Sequence, residues 1–322
     1  MIVVVCLNPA LDVTHHVPTV DWAGVNRPVA VRARPGGKGL NVARTLHALD
    51  ADVLLMGLIG GITGAGVQAA LGALGVPAAL TAIAGETRRT FTVVDGAGSA
   101  ALFSEPGPQV SDGEFAAFRG RYEQALTGTA AVVLSGSLPP GLAATTYAEL
   151  IDAASAAGVP AVLDTHGDAL VHGAAAGPAI VKPNLAELEA MAARRLANPD
   201  GVDAMAVTAA AENLRAAGAG SVVASLGPEG LLAVTGDSGR WRARPSTTVA
   251  GNGTGAGDAV VAALAHGLAI GRPWDERLRH AVALGTACAA APVAGEYSHA
   301  VYLSSLSTAA VYRDPVRTQE VG

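Results

Sequence analysis

The chain has 322 residues, of which 50% are hydrophobic, so it can bury one large core, with or without a smaller appended unit. Its net charge of -6 argues against DNA or RNA as the main partner, although a few basic groups can still hold a small anion. Its two cysteines provide neither a disulfide framework nor a zinc-ligand spacing. No apolar stretch reaches the ~18–20 residues of a membrane span, and the N-terminus reads as a strand rather than a signal peptide. A cytoplasmic location is therefore expected.

Short apolar runs alternate with alanine-rich helical segments along the chain. The predicted strands are, in chain order, residues 2–6, 53–58, 130–134, 161–163, 180–181 and 222–225. The predicted helices are residues 41–49, 65–74, 147–157, 185–193, 204–217 and 259–268. Apolar strands that alternate with helices indicate βαβ units, and therefore a parallel sheet covered by helices on both faces.

Two segments, residues 11–34 and 88–104, break this pattern because they contain alternating, strand-like stretches with no helix between them. They predict a small antiparallel sheet that stands off the main core, which we interpret as a lid. The alternative is two hairpins packed on the edge of the core. Arg27, Arg88 and Arg89 lie in these segments, where they could clamp a phosphate or could simply be solvated.

Polar residues directly follow three of the predicted strands, at Asp164, at residues 182–184 and at residues 225–227. Ligands of parallel α/β sheets bind at the carboxyl ends of the strands. These three positions are therefore where we expect the chemistry.

The first glycine-rich motif, residues 35–41 (PGGKGLN), precedes a helix. It is not a Walker A loop, because the glycine spacing and the Ser or Thr after the lysine are missing. It offers exposed backbone, Lys38 and Asn41 to a polar ligand, or it is a plain glycine turn with Asn41 as a helix cap. Lys38 and Lys182 are the only lysines of the chain, and each lies in a strand-to-helix turn.

The second motif, residues 182–187 (KPNLAE), places Asn184 and Glu187 on one side of the first turn of a helix. An amide and a carboxylate in this arrangement can hold a hydrated Mg²⁺. The same pattern also fits a capping box with Asn184 as the N-cap. After the next predicted strand, residues 225–230 (SLGPEG) either frame a nucleotide or form a hairpin turn.

The last motif, residues 252–258 (NGTGAGD), again precedes a helix. Closely spaced glycines let backbone N–H groups converge on an anion at a helix N-terminus. A phosphoryl group that is being transferred is such an anion, because its negative charge is distributed over three oxygens. An aspartate beside this cradle can accept a proton from an attacking hydroxyl. The alternative is an ordinary glycine turn with Asp258 as a helix cap.

In this order, the motifs resemble those of the PfkB branch of the ribokinase-like carbohydrate kinases. The similarity is strongest to its hexose-phosphate kinases, which comprise 1-phosphofructokinases, tagatose-6-phosphate kinases and minor 6-phosphofructokinases. The matching stretches are residues 7–12, 25–27, 35–44, 85–88, 105–108, 135–141, 163–170, 181–189, 225–230 and 253–258. The resemblance implies an α/β fold, a ribokinase-like three-layer sandwich with a mostly parallel central sheet and a small β-sheet lid. It implies a single kinase domain over residues 1–322, with the lid inserted in the core.

The resemblance also implies residue roles. Asp258 would be the catalytic base, beside an anion hole made by Gly255, Ala256 and Gly257. The ATP site would be lined by Lys182, Asn184, Ser225, Gly227, Gly230, Gly255 and Gly257. Asn184 and Glu187 would hold Mg²⁺ through water. The sugar would be held by Asp12, Gly37, Lys38 and Asn41, and its phosphate would meet Arg27 and Arg88, with Ser137 nearby.

The implied activity is the ATP-dependent phosphorylation of a ketohexose phosphate, with fructose 1-phosphate as the first choice and tagatose 6-phosphate or fructose 6-phosphate as alternatives. The family pattern also implies a homodimer formed through the lid. Ser104 and His166 differ from the pattern and leave the exact sugar phosphate open. An alternative of another class is a sugar-phosphate sensor without catalysis. A nucleotide-dependent oxidoreductase would need a GxGxxG turn after the first strand, which this sequence does not have.

Overall fold

A ten-stranded sheet forms the centre of the computed structural model, which describes residues 1–198, 201–237, 239–247, 249, 253–291 and 296–314. The strands of this large sheet and of two smaller sheets are β1 (Ile2–Cys6), β2 (Ala10–His16), β3 (Ala30–Gly36), β4 (Val53–Ile59), β5 (Ala78–Ala82), β6 (Arg88–Val94), β7 (Ala100–Ser104), β8 (Ala131–Ser135), β9 (Ala161–Asp164), β10 (Ile180–Val181), β11 (Ala197–Asn198), β12 (Gly201–Val202), β13 (Val222–Ser225), β14 (Leu231–Val234), β15 (Arg240–Arg244) and β16 (Ala310–Asp314). The helices are α1 (Lys38–Ala48), α2 (Gly61–Ala73), α3 (Asp112–Ala125), α4 (Thr146–Ala156), α5 (Gly167–Ala175), α6 (Leu185–Ala192), α7 (Ala204–Ala216), α8 (Ala256–Ala269), α9 (Trp274–Ala289) and α10 (His299–Thr308).

The large sheet has the strand order β16-β15-β14-β13-β10-β9-β8-β1-β4-β5. The pairings from β5 to β13 are parallel, whereas β14, β15 and β16 add an antiparallel edge. The prediction of a mostly parallel sheet is confirmed. Each of the six predicted core strands is present, with ends that shift by no more than one residue.

Helices cover both faces of the large sheet, which gives three layers. In β1, Val4 and Cys6 point into one core with α1, α2, α8, α9 and α10, whereas Val3 and Val5 point into a second core with α3 to α7. This alternation follows from the two-residue period of a strand. Helix α8 is buried along nearly its whole length, which agrees with its run of Ala, Val and Leu.

A second, four-stranded sheet with the order β3-β2-β6-β7, here named the small sheet, corresponds to the predicted lid segments. One expectation is wrong: β2 and β6 pair in parallel, with Ala10 opposite Arg88, so the two hairpins join into one sheet of mixed direction. Strand β2 follows β1 closely and β6 begins after β5, so both run away from the large sheet in the same direction.

Several elements lie outside the predictions, namely α3, α5, α9, α10, β5 and the antiparallel edge β14–β16. Strand β5 reads AALTA, and the alanines that make up most of it carry little strand signal. Helix α3 does carry a readable signal, a capping box between Ser111 and Glu114. In the described part of the chain, no helix has the length and apolar character needed to cross a membrane.

Candidate active site

Asp258 lies in the first turn of α8, at the carboxyl edge of the large sheet. The preceding Gly255 has a φ of 87°, a left-handed conformation that glycine adopts without strain, and it serves as the N-cap without a side-chain cap. Asp258 is only 7% exposed, and its Oδ2 accepts a hydrogen bond of 2.9 Å from Asn41 Nδ2. The carboxylate therefore faces α1 and does not cap its own helix. The first residue of this motif, Asn252, lies outside the described residues.

The helix start also presents backbone N–H groups, because the first amides of a helix have no partner within it. One of the three amides predicted for the anion hole, that of Ala256, donates to the carbonyl of Gly253 at 3.2 Å. A Cβ built on Gly257 would lie 3.7 Å from Lys182 Nζ, so this lysine lies directly beside the start of α8.

Burial, together with the negative charge of Asp164, raises the pKa of Asp258 to about 7. The hydrogen bond from Asn41 and the charges of Lys38 and Lys182 act in the opposite direction but do not offset the burial. A carboxyl group with a pKa near neutrality is suited to accept a proton and to release it again at physiological pH. Asp258 has therefore the properties of a general base.

Asp164, the last residue of β9, joins the two lysines of the chain. Its Oδ1 is 3.4 Å from Lys38 Nζ and 3.3 Å from Lys182 Nζ, and its Oδ2 accepts a bond of 3.4 Å from the Ser135 hydroxyl. Burial alone raises the pKa of Asp164, but the two ammonium groups outweigh it and hold the pKa below its ordinary value. Asp164 is therefore ionised and paired.

Lys38 stands between Asp164 and α6. Its Nζ is 3.6 Å from Glu187 Oε1. Burial lowers the pKa of Lys38, but the carboxylates of Asp164, Glu187 and Asp258 outweigh it and raise the pKa above its ordinary value. The Lys38 ammonium group therefore lies beside Glu187, a residue predicted to hold Mg²⁺. The predicted contact of Lys38 with the sugar stays a prediction.

The capping box predicted for the start of α6 is present. Asn184 Oδ1 accepts from the Glu187 amide at 2.8 Å, and Glu187 Oε2 accepts from the Asn184 amide at 2.8 Å. The remaining Glu187 oxygen, Oε1, faces Lys38 and is the one that can accept from a hydrated cation. No group of three or more His, Cys, Asp or Glu residues in the described ranges could form a metal cage. A single available carboxylate oxygen beside an amide side chain fits an ion that keeps most of its waters, as Mg²⁺ does.

The loop of residues 225–230, for which the sequence leaves two interpretations open, is a hairpin turn between β13 and β14. It contains a short 3-10 turn, Gly227–Glu229, with Gly227 and Gly230 at positive φ. Ser225 forms an isolated parallel bridge with Asn184. The turn and the start of α6 are therefore neighbours, so the hairpin does not exclude a nucleotide contact.

On the other side of α1, Asp12 of the small sheet faces the loop before the helix. A Cβ on Gly36 would overlap the Asp12 carboxylate, so only glycine allows this approach. The neighbouring Gly37 is the N-cap of α1 with a φ of 98°. Burial raises the pKa of Asp12, against a hydrogen bond from Thr90 and the charge of Arg34.

Arg88 and Ser137 converge on Asn8, a residue that the sequence analysis did not single out. Arg88 Nε donates to the Asn8 carbonyl at 3.1 Å, and Asn8 Nδ2 donates to the Ser137 hydroxyl at 3.1 Å. Arg88 also donates to the Ser104 hydroxyl at 2.7 Å. Asn8 is 4% exposed, and its position directly after β1 was the signal that could have identified it.

Arg27 is the predicted site residue that the fold keeps apart from the others. It is exposed and lies in the connection beyond the far end of the β2–β3 hairpin, where His16 pairs with Ala30. Arg88 pairs with Ala10 at the near end. The six residue-to-residue steps from Ala10 to His16 span about 20 Å at the usual rise of a strand. Within one chain, Arg27 and Arg88 therefore lie at opposite ends of the small sheet.

A large, mostly parallel sheet with helices on both faces and a second, small sheet is the architecture of ribokinase-like sugar kinases. The chain belongs to the pfkB family of carbohydrate kinases, whose model matches residues 5–299. It is therefore a phosphotransferase with a sugar hydroxyl as the acceptor. Kinases of this family use ATP as the phosphoryl donor.

Among the similar proteins is ATP-dependent 6-phosphofructokinase isozyme 2 of Mycobacterium tuberculosis, 38% identical over 90% of this chain and 83% of the relative. The 1-phosphofructokinase of Xanthomonas campestris is 38% identical over 83% of each chain. Among solved structures, the tetrameric inhibited form of phosphofructokinase-2 from Escherichia coli matches with a TM-score of 0.87 and 31% identity, covering 95% of this chain and 98% of that one.

Proposed function

We propose that this protein transfers the γ-phosphoryl group of ATP to a ketohexose phosphate, and that fructose 1-phosphate, converted to fructose 1,6-bisphosphate, is its substrate. The observation that carries the proposal is the buried Asp258, with its pKa raised to about 7, beside the lysine pair Lys38 and Lys182. A sensor without catalysis would have no use for a base with this pKa. The similarity to a 1-phosphofructokinase supports the choice of sugar phosphate.

In the proposed reaction, the carboxylate of Asp258 takes the proton of a primary hydroxyl of the sugar phosphate. The hydroxyl oxygen forms a bond to the γ-phosphorus while the bond from that phosphorus to the bridging oxygen breaks, which releases ADP. The amides of Gly255 and Gly257 and the two lysines stabilise the charge on the transferred group. Mg²⁺, when bound with ATP, neutralises phosphate charge, and Glu187 Oε1 and Asn184 would hold it through water.

The small sheet supplies the proposed sugar site. Asp12, Gly37 and Asn41 hold the sugar hydroxyls, and Arg88 with Ser137 binds the phosphate that the substrate already carries. We further propose that the small sheet acts as a lid over the single domain of this chain, since a closed site excludes water that would otherwise hydrolyse ATP.

A homodimer through the small sheet is part of the proposal, and the two faces of that sheet support it. On the face of the small sheet that carries the Asp12 side chain, one row of neighbouring residues across the four strands is polar: Arg34, Asp12, Thr90 and Ser104. The neighbouring row on the opposite face is apolar: Ala33, Val13, Phe91 and Phe103. Val31 and Phe103 are 57% and 52% exposed, so the described residues leave this apolar face largely uncovered. A second copy would cover it, and Arg27 could then reach the phosphate site of the partner subunit.

The dimer is tested by Phe103→Asp, which we expect to shift the mass in light scattering from dimer to monomer. Ile62→Asp is the matched control, because Ile62 is equally apolar and 89% exposed but lies on α2. A wild-type protein that is monomeric at micromolar concentration would contradict the dimer.

A second candidate substrate is fructose 6-phosphate, and it is favoured by the 38% identity to the M. tuberculosis 6-phosphofructokinase. Tagatose 6-phosphate is the third. All three substrates carry one phosphate for Arg88 and one free primary hydroxyl for Asp258, so the same chemistry serves each of them.

The test is a coupled ADP-release assay with Mg-ATP over fructose 1-phosphate, fructose 6-phosphate, tagatose 6-phosphate and the free sugars, compared by kcat/KM. We expect fructose 1-phosphate to give the highest value and the free sugars the lowest. A higher value for either 6-phosphate would reassign the substrate. ADP release with none of them, in a protein that binds a hexose phosphate, would favour the sensor.

A further inference from the structure

Asp164 has no part in the mechanism proposed above, although it lies at the centre of the candidate active site. It is 1% exposed and ends β9, the strand between β8 and β10 in the large sheet. A buried carboxylate is costly unless it is paired, so its retention calls for a partner. Both of its side-chain oxygens are in use.

The partners of Asp164 are two like charges that would otherwise repel each other. Lys38 and Lys182 are the only lysines of the chain, and both ammonium groups approach the same oxygen, Oδ1, at 3.4 and 3.3 Å. Lys182 is 3% exposed, so it has little access to water as an alternative partner. Without the carboxylate, the two ammonium groups would separate.

The two lysines point to different parts of the site. Lys182 Nζ lies beside Gly257 at the start of α8, 3.7 Å from where a Cβ would be. Lys38 Nζ lies 3.6 Å from Glu187 Oε1 at the start of α6. One ammonium is thus at the predicted anion hole and the other at the predicted metal side, with Asp164 between them.

Asp164 itself is held in place by the sheet. Its backbone pairs with Ser135 of β8, its carbonyl accepts from the Gly136 amide at 3.0 Å, and the Ser135 hydroxyl donates to Oδ2. A carboxylate fixed at the end of a central strand is a rigid reference point for two flexible lysine side chains.

We propose that Asp164 is a positioning residue that holds the ammonium groups of Lys38 and Lys182 on either side of the path of the transferred phosphoryl group. The proposal rests on the proposed kinase function. It assigns Asp164 no contact with the substrate, since its effect is exerted through the two lysines.

The first test measures the lysines directly and does not depend on activity. Because the chain has only two lysines, protein labelled with lysine carrying ¹³C at Cε gives two ¹³Cε signals in an NMR spectrum. We expect Asp164→Asn to move both signals. Asp152→Asn, the same change at an exposed position of α4, is expected to move neither. If Asp164→Asn moves one signal or none, the proposal is overturned.

The second test is kinetic. We expect Asp164→Asn to lower kcat about 100-fold while the KM for the sugar phosphate changes less than about threefold, since misplacement of a catalytic group affects the transition state more than binding. Because Asp164 acts in part through Lys38, we expect the double variant Lys38→Met with Asp164→Asn to lose less activity than the product of the two single losses. Losses that multiply would show that Asp164 acts independently of Lys38.

If Asp164→Asn fails to fold, Asp164→Glu serves as a second variant, because it keeps the charge but moves it by one methylene. We expect at least a tenfold loss of kcat with an almost unchanged melting temperature, and wild-type turnover of this variant would overturn the proposal. If the wild-type protein phosphorylates no sugar phosphate, the proposed function fails, whereas the NMR result still decides whether Asp164 holds both lysines.

Discussion

Asp258 and Asp164 are both almost fully buried, but they lie in two regions that shift their pKa values in opposite directions. At the start of α8, Asp258 has one hydrogen bond from an uncharged amide, and burial raises its pKa to about 7. At the end of β9, Asp164 has two ammonium groups, which outweigh burial and lower its pKa. The comparison teaches that the charged partners, rather than the depth of burial, separate a proton acceptor from a fixed counter-ion.

The largest expected effect is that of Asp258→Asn on turnover. Asn cannot accept the hydroxyl proton, so we expect kcat to fall by about 1,000-fold, within the usual range for loss of a general base. Steady-state ADP release measures kcat, and equilibrium binding of the nucleotide provides the control, because binding does not require the base. Near-normal turnover in a folded variant would remove Asp258 from the role of base.

The second effect concerns stability in the other region. Asp164→Asn leaves Lys38 and Lys182 without their counter-ion, and breaking a buried ion pair in this way costs about 3–5 kcal/mol of unfolding free energy. The stability from Asp164 is present above its ordinary pKa and is lost as the pH falls through its lower folded value. Urea unfolding at pH 8 measures the loss, with Asp152→Asn as the unaffected control. An unchanged midpoint would mean that the two regions do not differ as described.

The third effect is a gain in unfolding free energy rather than a loss. Because the folded pKa of Asp258 lies above its unfolded value, ionisation of this group opposes folding increasingly between about pH 4 and pH 7. Asp258→Asn removes the charge, and we expect it to raise the unfolding free energy at pH 8 by about 4 kcal/mol, with a smaller gain at pH 5. A gain that is equal at both pH values would point to packing rather than to the charge.

The smallest effect concerns the pH at which the base Asp258 becomes ionised. We expect kcat/KM to rise with pH through an apparent pKa of about 7, since Asp258 must be ionised. Asn41→Ala removes the hydrogen bond that favours the ionised form, so the midpoint should move upward by less than about one pH unit. A midpoint that moves to lower pH would contradict the assignment of this limb to Asp258.

Local sequence patterns were sufficient to predict much of the fold. The apolar runs predicted the core strands because each is buried on both faces, and the Asn184–Glu187 spacing predicted the capping box that is present. Strand β5 was not predicted, because the alanines that make up most of it carry little strand signal. Helix α9 was missed although its Trp274, Leu278 and Val282 are spaced four residues apart, which is a helical pattern. The direction of the β2–β6 pairing could not be predicted either, since it depends on where two distant hairpins leave the large sheet.

By itself, the sequence determined which residues end strands and begin helices, and hence that Asp164 and Lys182 belong to the carboxyl edge of one sheet. It placed Lys38 and Asp258 only at the starts of helices. Only the tertiary structure decided their partners. Lys38 meets Asp164 across 126 residues, and Asn41 meets Asp258 across 217. The physical reason is that a pKa and an ion pair depend on distances of a few ångströms between side chains, which are fixed by the packing of strands and helices and not by local sequence.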